Sequence, residues 1–260
     1  MSMIDPKLRF VANKLITPPL PLFADEFPIL FFWSPKCGCT SLVKWYLYQI
    51  GLLEKALNYD VNIHTYRLNV IHKQKNHTLK IRKHLLHESK DVYKLVRNPY
   101  TRAVSSFFHT VRSEDLLNII APGMEDGLSF KQFLYRIKGF GVERGKINGH
   151  MVQQYLDGEE LFVQNYIELE NFSTSIRQIE KSYNLLQSPL NDIIKSPHHV
   201  TQKMDENDSR IFANTKMSIA SFNQSLPPYK NFYDQETMEL VREIYKMDFI
   251  KYGYNQKMIS

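Results

Sequence analysis

Ile29-Leu30-Phe31-Phe32-Trp33-Ser34-Pro35-Lys36-Cys37-Gly38-Cys39-Thr40-Ser41 is the stretch from which the fold can be read. Its first five residues are a continuous apolar run stopped on both sides by proline, as expected of a strand covered on both faces in a parallel sheet. Beyond it, Leu42, Val43, Trp45, Tyr46 and Ile50 recur at helical spacing and close on Gly51, so a helix of about three turns is expected from Thr40 or Ser41, one of whose hydroxyls would cap it. Between strand and helix stand a lysine, a flexible glycine and two hydroxyls. In that position backbone N–H groups, the helix dipole and the cation can converge on one anion.

A second turn of the same kind is Arg97-Asn98-Pro99-Tyr100-Thr101-Arg102-Ala103-Val104-Ser105. It follows Asp91-Val92-Tyr93-Lys94-Leu95-Val96, which has strand composition. Asn98 suits a helix N-cap and Pro99 the first helical position, so a helix is expected to about Val111, with Ala103, Val104, Phe107 and Phe108 buried. Arg97 and Ser105 supply a cation and a hydroxyl for a second anion, whereas Arg102 reads as a helix-surface or structural cation. Two anion cradles suggest a nucleotide with phosphate-type groups at both its 5′ and 3′ ends.

The remaining pattern alternates. Thr78 to Glu88 reads as a helix, and Leu161 to Ile167 as a third strand leading through Glu168 and Glu170 into a helix ending near Tyr183. Ser129 to Lys138, His150 to Tyr155 and Asp234 to Gly253 read as further helices. Asn58 to Asn76 reads as a short strand or loop, and Pro122–Leu128, Gly139–Gly149 and Gln187–Asp208 as loops. The reading is therefore an α/β single domain over residues 26–260, with a central, mostly parallel sheet flanked by helices, preceded by an extended arm over residues 1–25.

Composition narrows the function classes. The 260 residues are 43% hydrophobic, enough to bury a core, and the net charge of +6 favours phosphorylated ligands. The 33 basic residues are dispersed among 27 acids and make no basic stripe, so nucleic acid is not an expected partner. No apolar run approaches a membrane span, no signal peptide is legible, and the two cysteines, Cys37 and Cys39, are too close in sequence for a long-range staple. A cytoplasmic chain with a native start at Met1 is the expectation. Cys37 and Cys39 lack a second pair to complete a zinc site, and His84 and His87, one turn apart on a charged helix, read as solvent-facing.

In a Walker loop the lysine directly precedes the hydroxyl at the helix start; here Lys36 comes four residues before Thr40. The order Pro-Lys-x-Gly-x-Thr-Ser after a strand resembles instead the 5′-phosphosulfate loop of sulfotransferases that use 3′-phosphoadenosine 5′-phosphosulfate (PAPS). Arg97 to Ser105 resembles the 3′-phosphate motif of that superfamily. Glu168-Leu169-Glu170-Asn171-Phe172 and the segment from Tyr233 to Tyr254 are similar to the carbohydrate-sulfotransferase branch, sulfotransferase family 2, so that the likeness runs in patches from about Pro28 to Tyr254. Cys37 and Cys39 depart from it, since many relatives carry other small residues there.

The resemblance implies a P-loop NTPase-like sulfotransferase fold and transfer of a sulfuryl group from PAPS to an acceptor hydroxyl on a carbohydrate or glycoconjugate. It implies that Lys36 stabilises the leaving oxygen, and that Pro35, Lys36, Cys37, Gly38, Cys39, Thr40 and Ser41 hold the 5′ end. Arg97 and Ser105 would grip the 3′-phosphate. No metal is implied. The catalytic base of relatives lies between the two motifs near the end of a strand, a place comparable to that of His64, which is the first candidate; His72 is the second and His150, beyond the second motif, the third, and for His64 a purely structural role is the competing reading. Two other functions fit parts of the pattern: a P-loop-like nucleotide-dependent kinase and a non-catalytic polyanion-binding module.

Overall fold

A computed structural model describes residues 5–87, 89–124, 126–195 and 203–257. In chain order the helices are α1 (Pro6–Leu15), α2 (Cys39–Gln49), α3 (Leu53–Tyr59), α4 (Ile63–Tyr66), α5 (His77–Leu86), α6 (Pro99–Val111), α7 (Glu114–Ile120), α8 (Phe130–Phe140), α9 (Phe172–Ser182), α10 (Leu190–Ile193), α11 (Gln235–Ile244) and α12 (Lys246–Tyr252). The strands are β1 (Ile29–Trp33), β2 (Asp91–Val96), β3 (Leu128–Ser129), β4 (Asn165–Glu168) and β5 (Lys216–Met217). The fold is mixed α/β. It is organised as two compact units, one of residues 1–96 and 156–197, the other of residues 97–155 and 198–260.

The first unit is built on a parallel sheet of order β1-β2-β4, with Trp33 beside Leu95 and Leu95 beside Ile167. Side chains alternate across it. Ile29, Phe31 and Trp33 join residues of α2 and α9 in one core, while Leu30, Phe32 and Val92 join residues of α1 and α5 in another. This two-sided burial is why β1 reads as an unbroken apolar run. The alternation also turns Lys94 inward, where it pairs with the fully buried Glu159 at 2.5 Å. Because β1 and β2 run parallel, the chain leaves both at the same edge of the sheet, so the first loop lies at the C-terminal end of the strands.

The second unit packs α6, α8 and α11 around Phe107, Phe108, Phe130, Phe133 and Phe232. Burial of each ring contributes about 2–3 kcal/mol. Asn98 caps α6 by accepting from the Tyr100 N–H, Ser129 and Gln132 form a capping box on α8, and Asp234 and Thr237 form another on α11. Arg102 is the structural cation, 1% exposed with its guanidinium 5.8 Å from the Tyr245 ring centroid.

Several elements differ from the sequence reading. Residues 6–15 of the arm are not extended but form α1, capped by Asp5 and fixed by burial of Val11, Ala12 and Leu15. Within residues 58–76, read as a short strand or loop, residues 63–71 are helical: Asn62 caps α4, and Ile63, Tyr66 and Ile71 bury one side. His150–Tyr155 is not a helix, because the Asp248 carboxylate takes the N–H groups of Gln154 and Tyr155 and Val142 takes that of Gln153. The third strand begins at Asn165, the chain before it closing a tight 3-10 turn over Glu159–Leu161. The terminal helix breaks at Tyr245 into α11 and α12. The loop read over residues 187–208 contains α10 and lies in part outside the described residues.

Candidate anion-binding and active site

The turn from β1 to α2 is held in an uncommon backbone shape. Lys36 has φ +70° and Gly38 φ +78°. For a non-glycine residue this left-handed conformation costs about 1 kcal/mol and marks functional turns. At Gly38 a side chain would be strained by φ and would have to displace the end of the Leu169 side chain. Gly38 is itself the N-cap of α2, and no side chain caps the helix. The helix therefore starts at Cys39 rather than at a hydroxyl, which leaves Thr40 and Ser41 within the first turn. Uncapped N–H groups, the positive end of the helix dipole and Lys36 thus share one turn, the arrangement that binds phosphate- or sulfate-type groups.

His64, at the start of α4, reaches this turn: its Nε2 lies 3.3 Å from Thr40 Oγ1 and 3.5 Å from Cys39 Sγ. Its Nδ1 is buried without a hydrogen-bond partner among the described residues. Burial, and then the neighbouring Arg67 charge, push the imidazole down to about 4, so the ring is neutral at physiological pH. Burial raises the Cys39 thiol, against the pull of Lys36 and Arg67. Cys37 is fully buried in the core and donates its thiol to the Pro35 carbonyl at 3.8 Å.

Arg67 went unread in the sequence. It follows His64 by three positions, one helical turn, and its guanidinium lies 4.9 Å from the Trp33 ring centroid. The signal available was a helical one, Asn62 as cap with Ile63 and Tyr66 inward, and reading the segment as strand or loop concealed it. His72, the second candidate base, packs its ring 5.5 Å from that of His77 and is pushed down to about 3, chiefly by burial.

The second motif belongs to the other unit. Arg97 follows β2 directly; its Nε donates to Thr101 Oγ1 at 3.0 Å and its guanidinium lies 5.1 Å from the Tyr229 ring centroid. Ser105, half-buried, sits one helical turn beyond Thr101 on α6. The backbone of Arg97 is clamped by Gln154, whose Oε1 accepts the Arg97 N–H at 2.9 Å while its Nε2 donates to the Arg97 carbonyl at 2.8 Å. The fully buried Asp248 in turn accepts from Gln154 N–H at 2.9 Å and from Tyr155 N–H at 2.7 Å. Gln154 and Asp248 were also missed; they lie far apart in sequence and nothing local in either stretch announces the pairing. His150, the third candidate, is in this unit, bonded to Asn148 Oδ1 at 2.8 Å and with its ring 4.1 Å from that of His109.

Among the described residues no helix is long and apolar enough to cross a membrane, and no group of three or more His, Cys, Asp or Glu side chains is placed to hold a metal ion. A family model described as a sulfotransferase family matches residues 22–255, nearly the whole chain. No curated protein and no solved structure matched in the same comparisons.

Proposed function

As the chain belongs to the sulfotransferase family, we propose that it transfers a sulfuryl group from PAPS to a hydroxyl of a carbohydrate or glycoconjugate. The observation that carries this reading is the β1–α2 turn: an uncapped helix start, two left-handed residues and a lysine are spent on a backbone shape whose use is to hold an anion. The residues fit the donor. Gly38 keeps the floor of the turn free of a side chain, and the N–H groups of Gly38 to Thr40 with the Thr40 and Ser41 hydroxyls suit the 5′-phosphate. Arg97 and Ser105 are assigned to the 3′-phosphate, the group that separates this donor from ATP.

In the transfer the acceptor oxygen forms a bond to sulfur as the bond from sulfur to the bridging oxygen breaks, and the products are the sulfate ester and adenosine 3′,5′-bisphosphate. Negative charge grows on the bridging oxygen, where Lys36 meets it; a contact that strengthens in the transition state accelerates the step. The acceptor's proton goes to the imidazole of His64. A neutral ring is the form that can accept it, and binding of a polyanionic donor beside Arg67 raises its basicity by offsetting that charge. The site chemistry asks for no metal, and the chain is assigned to the cytoplasm.

Titration calorimetry with adenosine 3′,5′-bisphosphate and with ATP tests the donor assignment, followed by a screen of sugar acceptors with labelled PAPS. Tight bisphosphate binding and labelled sulfate ester are expected. Tight ATP binding with none of the bisphosphate would point to a kinase instead.

A further inference from the structure

Arg67 is 7% exposed, and its Nε and Nη1 are buried without hydrogen-bond partners among the described residues. A guanidinium stays charged at any physiological pH and carries five donors, so a protein rarely buries one without an anion to meet it. Stacking on Trp33 covers one face of the group but satisfies none of its in-plane N–H donors.

Its surroundings indicate where that anion sits. Trp33 is the last residue of β1, immediately before the Ser34–Ser41 loop, and the Arg67 charge acts on both Cys39 in the loop and His64 beside it. Arg67 also opens a π-helical turn over Arg67–Ile71, closed by the His72 N–H bonding to the Arg67 carbonyl at 2.9 Å. Such turns are rare and concentrate at functional sites. Here the wider turn begins at the residue whose donors are unmatched.

We propose that Arg67 is a binding residue of the first anion site, donating from its unmatched nitrogens to oxygens of the 5′-phosphosulfate group and so supplying that site with a second cation besides Lys36. The assignment rests on the sulfotransferase reading of the loop. Because the cation meets no anion among the described residues, Arg67 is held for binding at the expense of the empty protein's stability.

The full chain is compared with Arg67→Met and Arg67→Lys by calorimetry with adenosine 3′,5′-bisphosphate and by thermal denaturation without ligand. Arg67→Met is expected to weaken the bisphosphate by about 10–100-fold, the range for a lost charge-assisted contact, and to melt without ligand no lower than the wild type. Arg67→Lys, which keeps the charge but not the fork, should recover part of the affinity. Unchanged bisphosphate affinity in a folded Arg67→Met protein would overturn the proposal. So would an Arg67→Lys protein binding no better than Arg67→Met. A wild-type chain that binds ATP and not the bisphosphate would sink the donor reading, and the ligand assigned to Arg67 with it.

Discussion

The two anion motifs are built on opposite principles. At the second, the backbone of Arg97 is clamped on both sides by Gln154, and Gln154 is held by Asp248, so the polar groups of that network meet one another before any ligand comes. At the first, Lys36 and Gly38 sit in left-handed conformations, α2 has no side-chain cap, and Arg67 and His64 bury polar atoms that find no partner among the described residues. The backbone of Arg97 is held before any ligand comes, whereas the first motif has strained backbone and the buried Nε and Nη1 of Arg67 without hydrogen-bond partners among the described residues. Unmatched polar groups and strained backbone persist where a ligand completes them, which is the ground for the proposal that the chemistry belongs to the first motif and the positioning to the second.

Substitutions can break or sharpen this contrast. The largest effect is expected from Lys36→Ala, which should lower kcat by about 10²–10³-fold, the range for losing one transition-state donor, while leaving the unliganded melting temperature within a few degrees of wild type; steady-state kinetics and a thermal melt check both halves. Asp248→Asn should do the reverse. The carboxylate uses one oxygen for the Tyr155 N–H and the other for the two Gln154 donors, and an amide keeps only one of those acceptors, so about 2–3 kcal/mol of stability is expected to go, read by urea denaturation, with bisphosphate affinity falling only as the clamp on Arg97 loosens. If Asp248→Asn left stability untouched, the second motif would not be the prebuilt one.

Gly38→Ala comes next. The methyl group would force φ +78° on an L-residue and push into Leu169, whose flexible end can give way, so the stability cost should stay at about 1–2 kcal/mol. Donor binding should suffer more than stability does, because the anion must approach the same backbone.

The smallest effect is that of pH. His64 is pushed down to about 4 and His72 to about 3, both first by burial and then by Arg67. Their folded values lie below that of an unfolded histidine, near 6.5, so the unfolded chain binds more protons and stability falls with falling pH. The contribution is whole above about pH 7 and is lost as pH drops through 6.5 towards 4, at under about 1 kcal/mol per histidine by pH 6. Urea melts between pH 8 and pH 5 should show the decline, and His72→Phe should flatten part of it.

Much of this was legible in the chain. Ile29 to Trp33, Asp91 to Val96 and Asn98-Pro99 announce strand, strand and helix start through local rules of burial, β composition and capping, and the structure follows them. The helical segments between residues 53 and 71 were hidden because each is short and only weakly apolar, and α3 is set apart from α4 by extended backbone at Asp60 and Asn62. Gln154 was illegible for a different reason: its partner Asp248 is 94 residues away, and a buried side chain meeting backbone across that separation leaves no periodicity to detect. Arg67 lies between these cases, visible once His64 and Arg67 are seen as one face of one helix.

A crystal structure of the protein with adenosine 3′,5′-bisphosphate bears most directly on the completion of the first motif by a donor anion. The 5′-phosphate is expected against the N–H groups of Gly38 to Thr40, within hydrogen-bonding distance of Lys36 and Arg67, and the 3′-phosphate against Arg97 and Ser105. A nucleotide bound elsewhere, with the Arg67 guanidinium still unmet, would contradict it.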